Sequence, residues 1–93
     1  MKIEFDPAKS EKNVRERGLP FDLVEQFEWE TAIFSEDVRF PYTEIRMIAL
    51  GFIRERLHFV CFTPAIGAIR VISFRKANER EVGRYEEEKT PNR

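Results

Sequence analysis

The sequence contains few of the residues that build disulfides, metal centres and nucleophilic sites: one cysteine, Cys61, and one histidine, His58, among 93 residues. A lone cysteine excludes an internal disulfide, and the scarcity of both residue types excludes a zinc site rich in cysteine or histidine. The four glycines are scattered along the chain, so it has no glycine-rich loop of the kind that holds nucleotide phosphates. We therefore expect a protein that uses no metal ion or other cofactor.

Long apolar runs are also missing. No stretch approaches the about 18 apolar residues of a membrane-spanning helix, and the charged first residues do not resemble a secretion signal. These absences predict a cytoplasmic protein with a reduced thiol and no contact with a membrane.

The chain does have enough apolar material for one hydrophobic core, because 42% of its residues are hydrophobic and nine of them are phenylalanine. Its length fits a single domain over residues 1–93.

The formal net charge is only −1, which taken alone argues against a polyanionic partner such as RNA. The charge is unevenly distributed, however: residues 1–53 carry −4, residues 54–85 carry +4 and residues 86–93 carry −1. A basic second half interleaved with apolar residues predicts a surface that meets phosphates or an acidic partner. The alternative is that acidic helices of the first half neutralise the basic strands through ion pairs.

Capping residues define the start of the chain. Residues 2–5 alternate as a short strand, and Asp6 with Pro7 opens a helix over residues 7–17 that Gly18 ends.

A second helix is predicted to begin at Asp22 and Glu25, which have capping-box spacing, and to end near Trp29. A turn at residues 35–37 should then separate two short strands. These strands are expected at residues 31–34 and 38–40.

Three longer apolar runs predict an antiparallel meander of strands at residues 45–53, 57–63 and 68–75. The last two runs are apolar on both sides, which is typical of central strands covered on both faces. The second face is covered either by the C-terminal helix or by a partner protein or second copy.

Asn78 and Glu81 again have cap spacing and predict a terminal helix over residues 79–88, with residues 86–93 forming a charged, frayed tail. The order of elements is strand, two helices, strand meander and helix, which is an α+β domain.

Arginine and lysine side chains supply the strongest candidates for chemistry. Regular alternation along the last strand places Arg70 and Lys76 on one face and Arg75 on the other, unless a bulge intervenes. The alternative for Arg75 is a salt bridge to Glu79 or Glu81.

In the first helix, Lys9, Asn13 and Arg17 recur every four residues as one polar stripe, which is either an RNA-contact surface or ordinary solvated surface. Cys61 and His58 point to opposite faces of their strand and are expected in the core.

Several short motifs, in this order and spacing over residues 3–86, resemble the BrnT family of type II toxin-antitoxin toxins. The motifs are Phe5-Asp6-Pro7-Ala8-Lys9, Asn13, Gly18, Phe21, Arg46, Gly51, the segment Arg70 to Ala77, Glu81 and Tyr85. The chain departs from the family pattern at three places, namely Phe5, Glu16-Arg17 and Phe74.

The resemblance implies a RelE-like fold and a ribonuclease that inhibits translation. It also implies a BrnA-type antitoxin that neutralises the toxin, and a complex of the two proteins that represses their operon. The toxin would then contact operator DNA only indirectly, through the antitoxin. A homodimer or a two-to-two complex is the implied assembly.

With these expectations we predict metal-independent RNA cleavage that leaves a 2',3'-cyclic phosphate. Arg70 and Lys76 would bind the phosphate, Arg46 would be a second clamp, Arg75 would act at the site or orient it, and Tyr85 would stack on a base or donate a hydrogen bond. Residues expected to contact RNA are Lys9, Asn13 and Arg80. The alternative is a non-catalytic protein-binding module of the same fold.

Overall fold

The computed structural model describes residues 1–91, which form a five-stranded sheet with helices. The elements are β1 (Lys2–Glu4), α1 (Pro7–Arg17), two 3-10 helices (Phe21–Gln26 and Trp29–Thr31), β2 (Ile33–Glu36), β3 (Met47–Ile53), β4 (Arg56–Ala65), β5 (Ala68–Lys76) and α2 (Glu79–Lys89). The strand order is β1-β5-β4-β3-β2, with β1 parallel to β5 and every other pair antiparallel. The predicted α+β class and the β3 to β5 meander are confirmed.

Local capping fixes both ends of α1 as predicted. Asp6 is the N-cap, and its Oδ1 accepts a hydrogen bond from the Ala8 amide at 2.9 Å. Pro7 follows at the first helical position, where its missing N–H costs nothing. Gly18 ends the helix with a φ of 71°, a left-handed conformation that glycine adopts without steric cost.

The chain between α1 and β3 differs from the prediction. The expected second helix is a short 3-10 helix preceded by Pro20, and no side chain caps its start. Strand β2 begins two residues later than expected, at Ile33, and includes two residues of the expected turn at 35–37. Residues 38–40 form no strand and belong to the loop that joins β2 to β3.

Apolar residues cover both faces of the sheet. The first face packs against α1 and the 3-10 helices; its buried residues are Leu19, Phe21, Val24, Phe27, Ala49, Ile53, Val60, Phe62, Ile69, Val71 and Phe74. The second face carries a smaller buried cluster of Ile33, Leu50, Leu57, Phe59, Cys61, Ala77 and Tyr85. Burial on both sides explains why β4 and β5 lack a polar face.

Helix α2 folds back over the second face, which decides between the two alternatives for that part of the sheet. Asn78 and Glu81 form the predicted capping box at its start. The helix continues to Lys89, so Glu86 to Lys89 are helical rather than frayed. Residues 92–93 of the predicted tail lie outside the described residues.

Ion pairs are local along the chain. The six found between residues 1 and 91 join side chains no more than six positions apart. None of them links the acidic first half to the basic region 54–85. The acidic helices of the first half therefore do not neutralise the basic strands through ion pairs. The region 54–85 keeps its excess of positive charge.

Candidate functional site

Three cationic side chains from distant parts of the chain line one pocket of about 130 Å³. Its lining consists of Asp6, Lys9, Glu44, Arg46, Arg70, Val71 and Ile72, and we call it the cationic pocket. Pockets for drug-sized ligands measure about 300 Å³ or more. The cationic pocket therefore suits a group the size of a phosphate better than a whole nucleotide.

Strand pairing brings these segments together. Thr63 in β4 pairs with Arg70 in β5, and its hydroxyl donates a hydrogen bond of 2.7 Å to the carbonyl of the residue before Arg46. On its other side Arg70 pairs with Glu4 of β1, the strand that leads directly into α1 and Lys9. The three cations are thus neighbours through the sheet, although their positions span more than half of the sequence.

The guanidinium of Arg46 is oriented by the loop that precedes it. Its Cζ lies 4.1 Å from the centroid of the Tyr42 ring, a cation–π arrangement. Its Nη2 lies 3.8 Å from Oε1 of Glu44, which is an ion pair but not a hydrogen bond. Its Nε is buried and has no hydrogen-bond partner among the residues described. A buried N–H without an acceptor is costly, and a buried atom is also closed to a ligand. An anion would therefore have to meet the rest of this side chain, which is 30% exposed.

A buried carboxylate organises the same loop, residues 37–46. Asp37, whose side chain is 1% exposed, accepts two hydrogen bonds of 2.9 Å from the Arg39 guanidinium and one of 3.1 Å from the Tyr42 hydroxyl. The hydrogen bonds from Arg39 lower the pKa of Asp37 to about 2, with a smaller contribution from Tyr42. Asp37 therefore fixes Tyr42, and Tyr42 supports Arg46.

A bulge in β5 changes which cations share a face. Ile72 has no partner in β4; the pairs beside it are Cys61 with Ser73 and Phe62 with Val71. Beyond the bulge the alternation is reversed, so that Arg75 lies over Phe59 on the second face, the face to which Arg70 also points. Lys76 pairs with His58 on the first face. The expected grouping of Arg70 with Lys76 is therefore wrong.

Arg75 is held by the helix that follows it. Its two terminal nitrogens donate to the two carboxylate oxygens of Glu81 at 2.8 and 2.9 Å, and its Cζ lies 4.0 Å from the Phe59 ring centroid. Hydrogen bonding from Arg75 lowers the pKa of Glu81. The salt bridge proposed as the alternative for Arg75 is present, and this side chain does not line the cationic pocket.

Tyr85 is also engaged inside the fold. Its side chain packs edge-on against Phe52, and its hydroxyl donates a 3.0 Å hydrogen bond to the carbonyl of Thr31. Lys76 and Arg80 are exposed and lie outside the lining of the cationic pocket. Of the five residues predicted to be catalytic, the structure brings only Arg46 and Arg70 together, and it adds Lys9 to them.

Asn13 is buried rather than presented to a ligand. Its Nδ2 donates to the carbonyls of Leu19 at 2.8 Å and Phe74 at 3.0 Å, and its Oδ1 accepts from Arg17 at 2.8 Å. All the polar groups of this side chain are therefore used within the fold. Asn13 is therefore neither placed to contact RNA nor part of a solvated stripe, and both expectations for this residue are wrong.

Cys61 and His58 lie in the core, as expected. The ring of His58 stacks on Phe74, and its Nδ1 donates to the carbonyl of Arg56 at 2.8 Å. Burial lowers the pKa of His58 and raises the pKa of the Cys61 thiol. Both groups are thus held in their neutral forms.

The sequence interpretation did not identify Asp37, Tyr42 or Glu44 as parts of a site, because it treated this segment as a turn and a short strand. Tyr42, Glu44 and Arg46 recur every second residue, but this spacing places side chains on one side only in an extended segment, and residues 43–44 form a bend. The sequence therefore held no reliable signal for this part of the site.

Among residues 1–91, no cluster of three or more histidine, cysteine or acidic side chains could hold a metal ion. No helix in the described part of the chain is long and apolar enough to cross a membrane.

Comparison with known protein families gives a match for this chain. The model of a family described as a ribonuclease toxin, BrnT, of type II toxin-antitoxin systems matches residues 5–81. No curated protein and no solved structure matches the chain. The matched segment includes the cap of α1, all three cations of the cationic pocket and the first turn of α2. With a match over most of its length, the chain belongs to the BrnT family of ribonuclease toxins of type II toxin-antitoxin systems.

Proposed function

We propose that the protein cleaves RNA without a metal ion and that the scissile phosphate binds in the cationic pocket. The observation that carries this proposal is the convergence of Lys9, Arg46 and Arg70 on a volume suited to one phosphate. No ion pair joins Lys9 or Arg70 to another residue of the described chain. Their charges are therefore available to a ligand.

The chemistry requires charge stabilisation more than a metal. The ribose 2'-oxygen forms a bond to the adjacent phosphorus while the bond from phosphorus to the 5'-oxygen breaks, leaving a 2',3'-cyclic phosphate and a 5'-hydroxyl. Negative charge accumulates on the non-bridging oxygens in the transition state. Preorganised guanidinium and ammonium groups stabilise that charge without reorganisation, and guanidinium groups can bind two phosphate oxygens at once.

Arg46 has the best-defined position of the three cations. Asp37 and Tyr42 fix it from one side, and its buried Nε lacks a hydrogen-bond partner in the described residues. We assign it to a non-bridging phosphate oxygen. Arg70 and Lys9, both exposed, bind the same phosphate from β5 and α1, so that three rigid elements orient one group.

Inhibition of translation follows from the cleavage of cellular RNA. Family membership implies an antitoxin partner, and we propose that this antitoxin is of the BrnA type and neutralises the enzyme. The operator would be contacted by the antitoxin, in a two-to-two complex with the toxin. The antiparallel β3 to β5 meander and the single continuous family match support a RelE-like arrangement and one toxin domain over residues 1–93.

The test is an assay of purified protein on labelled RNA with EDTA present. We expect cleavage by the parent, with a 2',3'-cyclic phosphate on the 5' fragment. Arg70→Ala and Arg46→Ala should each lower the rate by about 100-fold, the typical effect of losing one transition-state donor. Arg15→Ala is the matched control, because Arg15 is an exposed arginine of α1 outside the cationic pocket and has no predicted role in RNA binding; it should retain the parental rate.

The same assay separates cleavage from the non-catalytic alternative. A protein-binding module would leave RNA intact even as the parent. Cleavage that requires added magnesium would contradict the metal-free mechanism. Equal losses for Arg70→Ala and Arg15→Ala would contradict the assignment of the phosphate to this pocket.

A further inference from the structure

The cationic pocket contains two carboxylates beside its three cations, which a simple phosphate-binding site does not need. Asp6 and Glu44 both line it. A carboxylate beside a bound phosphate opposes anion binding, so its presence in so small a pocket calls for a function. We propose that Glu44 is the general base that removes the proton from the ribose 2'-hydroxyl; this assignment rests on the proposed ribonuclease function.

The two carboxylates differ in their hydrogen bonds. Oδ1 of Asp6 accepts the hydrogen bond from Ala8 that caps α1, so Asp6 has a structural role at the helix start. Glu44 makes no hydrogen bond within the described part of the chain; its one close polar neighbour is Nη2 of Arg46 at 3.8 Å. The lone pairs of Glu44 are thus free to accept a proton, while the ion pair keeps its carboxylate next to the arginine that binds the phosphate.

The other side chains that could serve as a base lie elsewhere. His58 is buried, stacked on Phe74, and its Nδ1 is engaged with a backbone carbonyl. The hydroxyl of Tyr85 donates a hydrogen bond to the carbonyl of Thr31, and both carboxylate oxygens of Glu81 accept hydrogen bonds from Arg75. Of the two carboxylates that line the cationic pocket, Asp6 has one oxygen engaged as the cap of α1, and Glu44 has neither oxygen engaged in a hydrogen bond within residues 1–91.

The proton and bond balance of the step is simple. Glu44 takes the proton of the 2'-hydroxyl as the 2'-oxygen bonds to phosphorus, and it becomes neutral. The bond from phosphorus to the 5'-oxygen breaks, and the departing oxygen takes a proton from water. Glu44 then releases its proton to solvent, which its 49% exposed side chain allows.

The decisive variant is Glu44→Gln, which keeps the shape of the side chain but cannot accept the proton. We expect kcat for RNA cleavage to fall by about 100-fold or more, as for other general bases, with KM unchanged or lower. Glu44→Asp, which keeps the carboxylate, should retain part of the activity. Glu36→Gln is the matched control, because it removes one exposed negative charge from the end of β2, outside the cationic pocket.

Binding separates this proposal from a purely electrostatic role for Glu44. On an RNA that carries 2'-deoxyribose at the cleavage site, Glu44→Gln should bind at least as tightly as the parent, because a negative charge is removed. A Glu44→Gln variant that cuts as fast as the parent would overturn the assignment while leaving the ribonuclease proposal intact. A parent that cuts no RNA would overturn the ribonuclease proposal itself.

Discussion

The clearest prediction concerns Asn13, the side chain whose sequence interpretation and structural role differ most. Its amide joins α1 to two other parts of the chain by donating to the carbonyls of Leu19 and Phe74. Phe74 lies in β5 beyond the three residues that pair with β1. Asn13 thus satisfies a carbonyl at a sheet edge that has no neighbouring strand.

Replacing Asn13 with alanine leaves two buried carbonyls without donors. Each unsatisfied group costs about 1–3 kcal/mol, so Asn13→Ala should lose roughly 2–6 kcal/mol of a stability that for small domains is about 5–15 kcal/mol. For a domain of this size each kcal/mol lowers the melting temperature by about 4–8 °C. We therefore expect the midpoint to fall by about 8 °C or more. Asn13→Asp should be at least as unstable, because its carboxylate would face both carbonyls.

Thermal and urea unfolding of the variants, followed by circular dichroism, test this magnitude. Lys9→Ala, one turn earlier on the same helix, is the control: Lys9 is exposed, so its loss should change stability by no more than about 0.5 kcal/mol while lowering RNA cleavage. The reasoning would be refuted if Asn13→Ala melted like the parent but bound RNA more weakly.

Two further predictions concern stability. A Cβ at Gly51 would lie 2.6 Å from Cζ of Phe27, so Gly51→Ala should lower stability by about 1–3 kcal/mol through overpacking. At Gly83 no atom lies within 4 Å of the added Cβ, so Gly83→Ala should stabilise α2. The midpoints of urea unfolding compare the two variants. The pKa of Asp37 falls from 3.8 to about 2 in the folded protein, so its contribution is complete above pH 4 and is lost as the pH falls towards 2. Asp37→Asn should therefore lower the free energy of unfolding at pH 7 by at most about 2 kcal/mol, because Arg39 is 69% exposed and its interaction with Asp37 is screened by solvent. The difference in stability between parent and variant should shrink between pH 4 and pH 2. A difference that stays constant over this range would contradict a contribution from the Asp37 carboxylate.

Elements defined by local chemistry were predictable from the sequence. Asp6, Pro7 and Gly18 fix α1, and the reciprocal bonds of Asn78 and Glu81 fix the start of α2. In each case the signal lies within a few residues of the feature that it determines.

The segment between α1 and β3 was predicted poorly, because tertiary contacts decide its form. The backbone amide of Phe21 donates to the hydroxyl of Ser10 in α1, and the amide of Glu28 donates to the carbonyl of Phe52 in β3. The bond from Glu28 takes the place of the bond to the carbonyl four residues earlier that an α-helix would form, and Phe27 donates to Val24, three residues earlier. Asp22 and Glu25 have the spacing of a capping box, but their backbone follows the tighter 3-10 path.

The positions expected to depart from the family pattern include three that make contacts within the fold. Phe5 and Phe74 each pack edge-on against Phe21, with ring centroids 5.8 and 6.4 Å apart. Arg17 donates a hydrogen bond to Oδ1 of Asn13. All three lie outside the lining of the cationic pocket, so these side chains serve packing rather than the candidate site.

The spacing of arginine and lysine along β5 could not predict which of them line the cationic pocket. One unpaired residue, Ile72, moves Arg75 to the second face and Lys76 to the first, and no local sequence signal marks this bulge. The densest motif of the family, Arg70 to Ala77, therefore contributes Arg70 to the cationic pocket and uses Arg75 to anchor α2 through Glu81. One motif serves both the proposed chemistry and the attachment of the helix that covers the second face.

The same geometry explains how a chain of net charge −1 can act on RNA. Its ion pairs are local, and of the three cations that line the pocket only Arg46 has one within residues 1–91, with Glu44 at 3.8 Å. Lys9 and Arg70 keep their charge for a ligand. Two of those cations, Lys9 and Arg46, come from the acidic first half, and Arg70 comes from the basic second half. What matters for phosphate binding is therefore which segments the strand pairing brings together. We propose that the three cations, set among two carboxylates, hold one phosphate in place. A site with so few cations should bind RNA weakly outside the pocket, with an affinity that falls as salt is added.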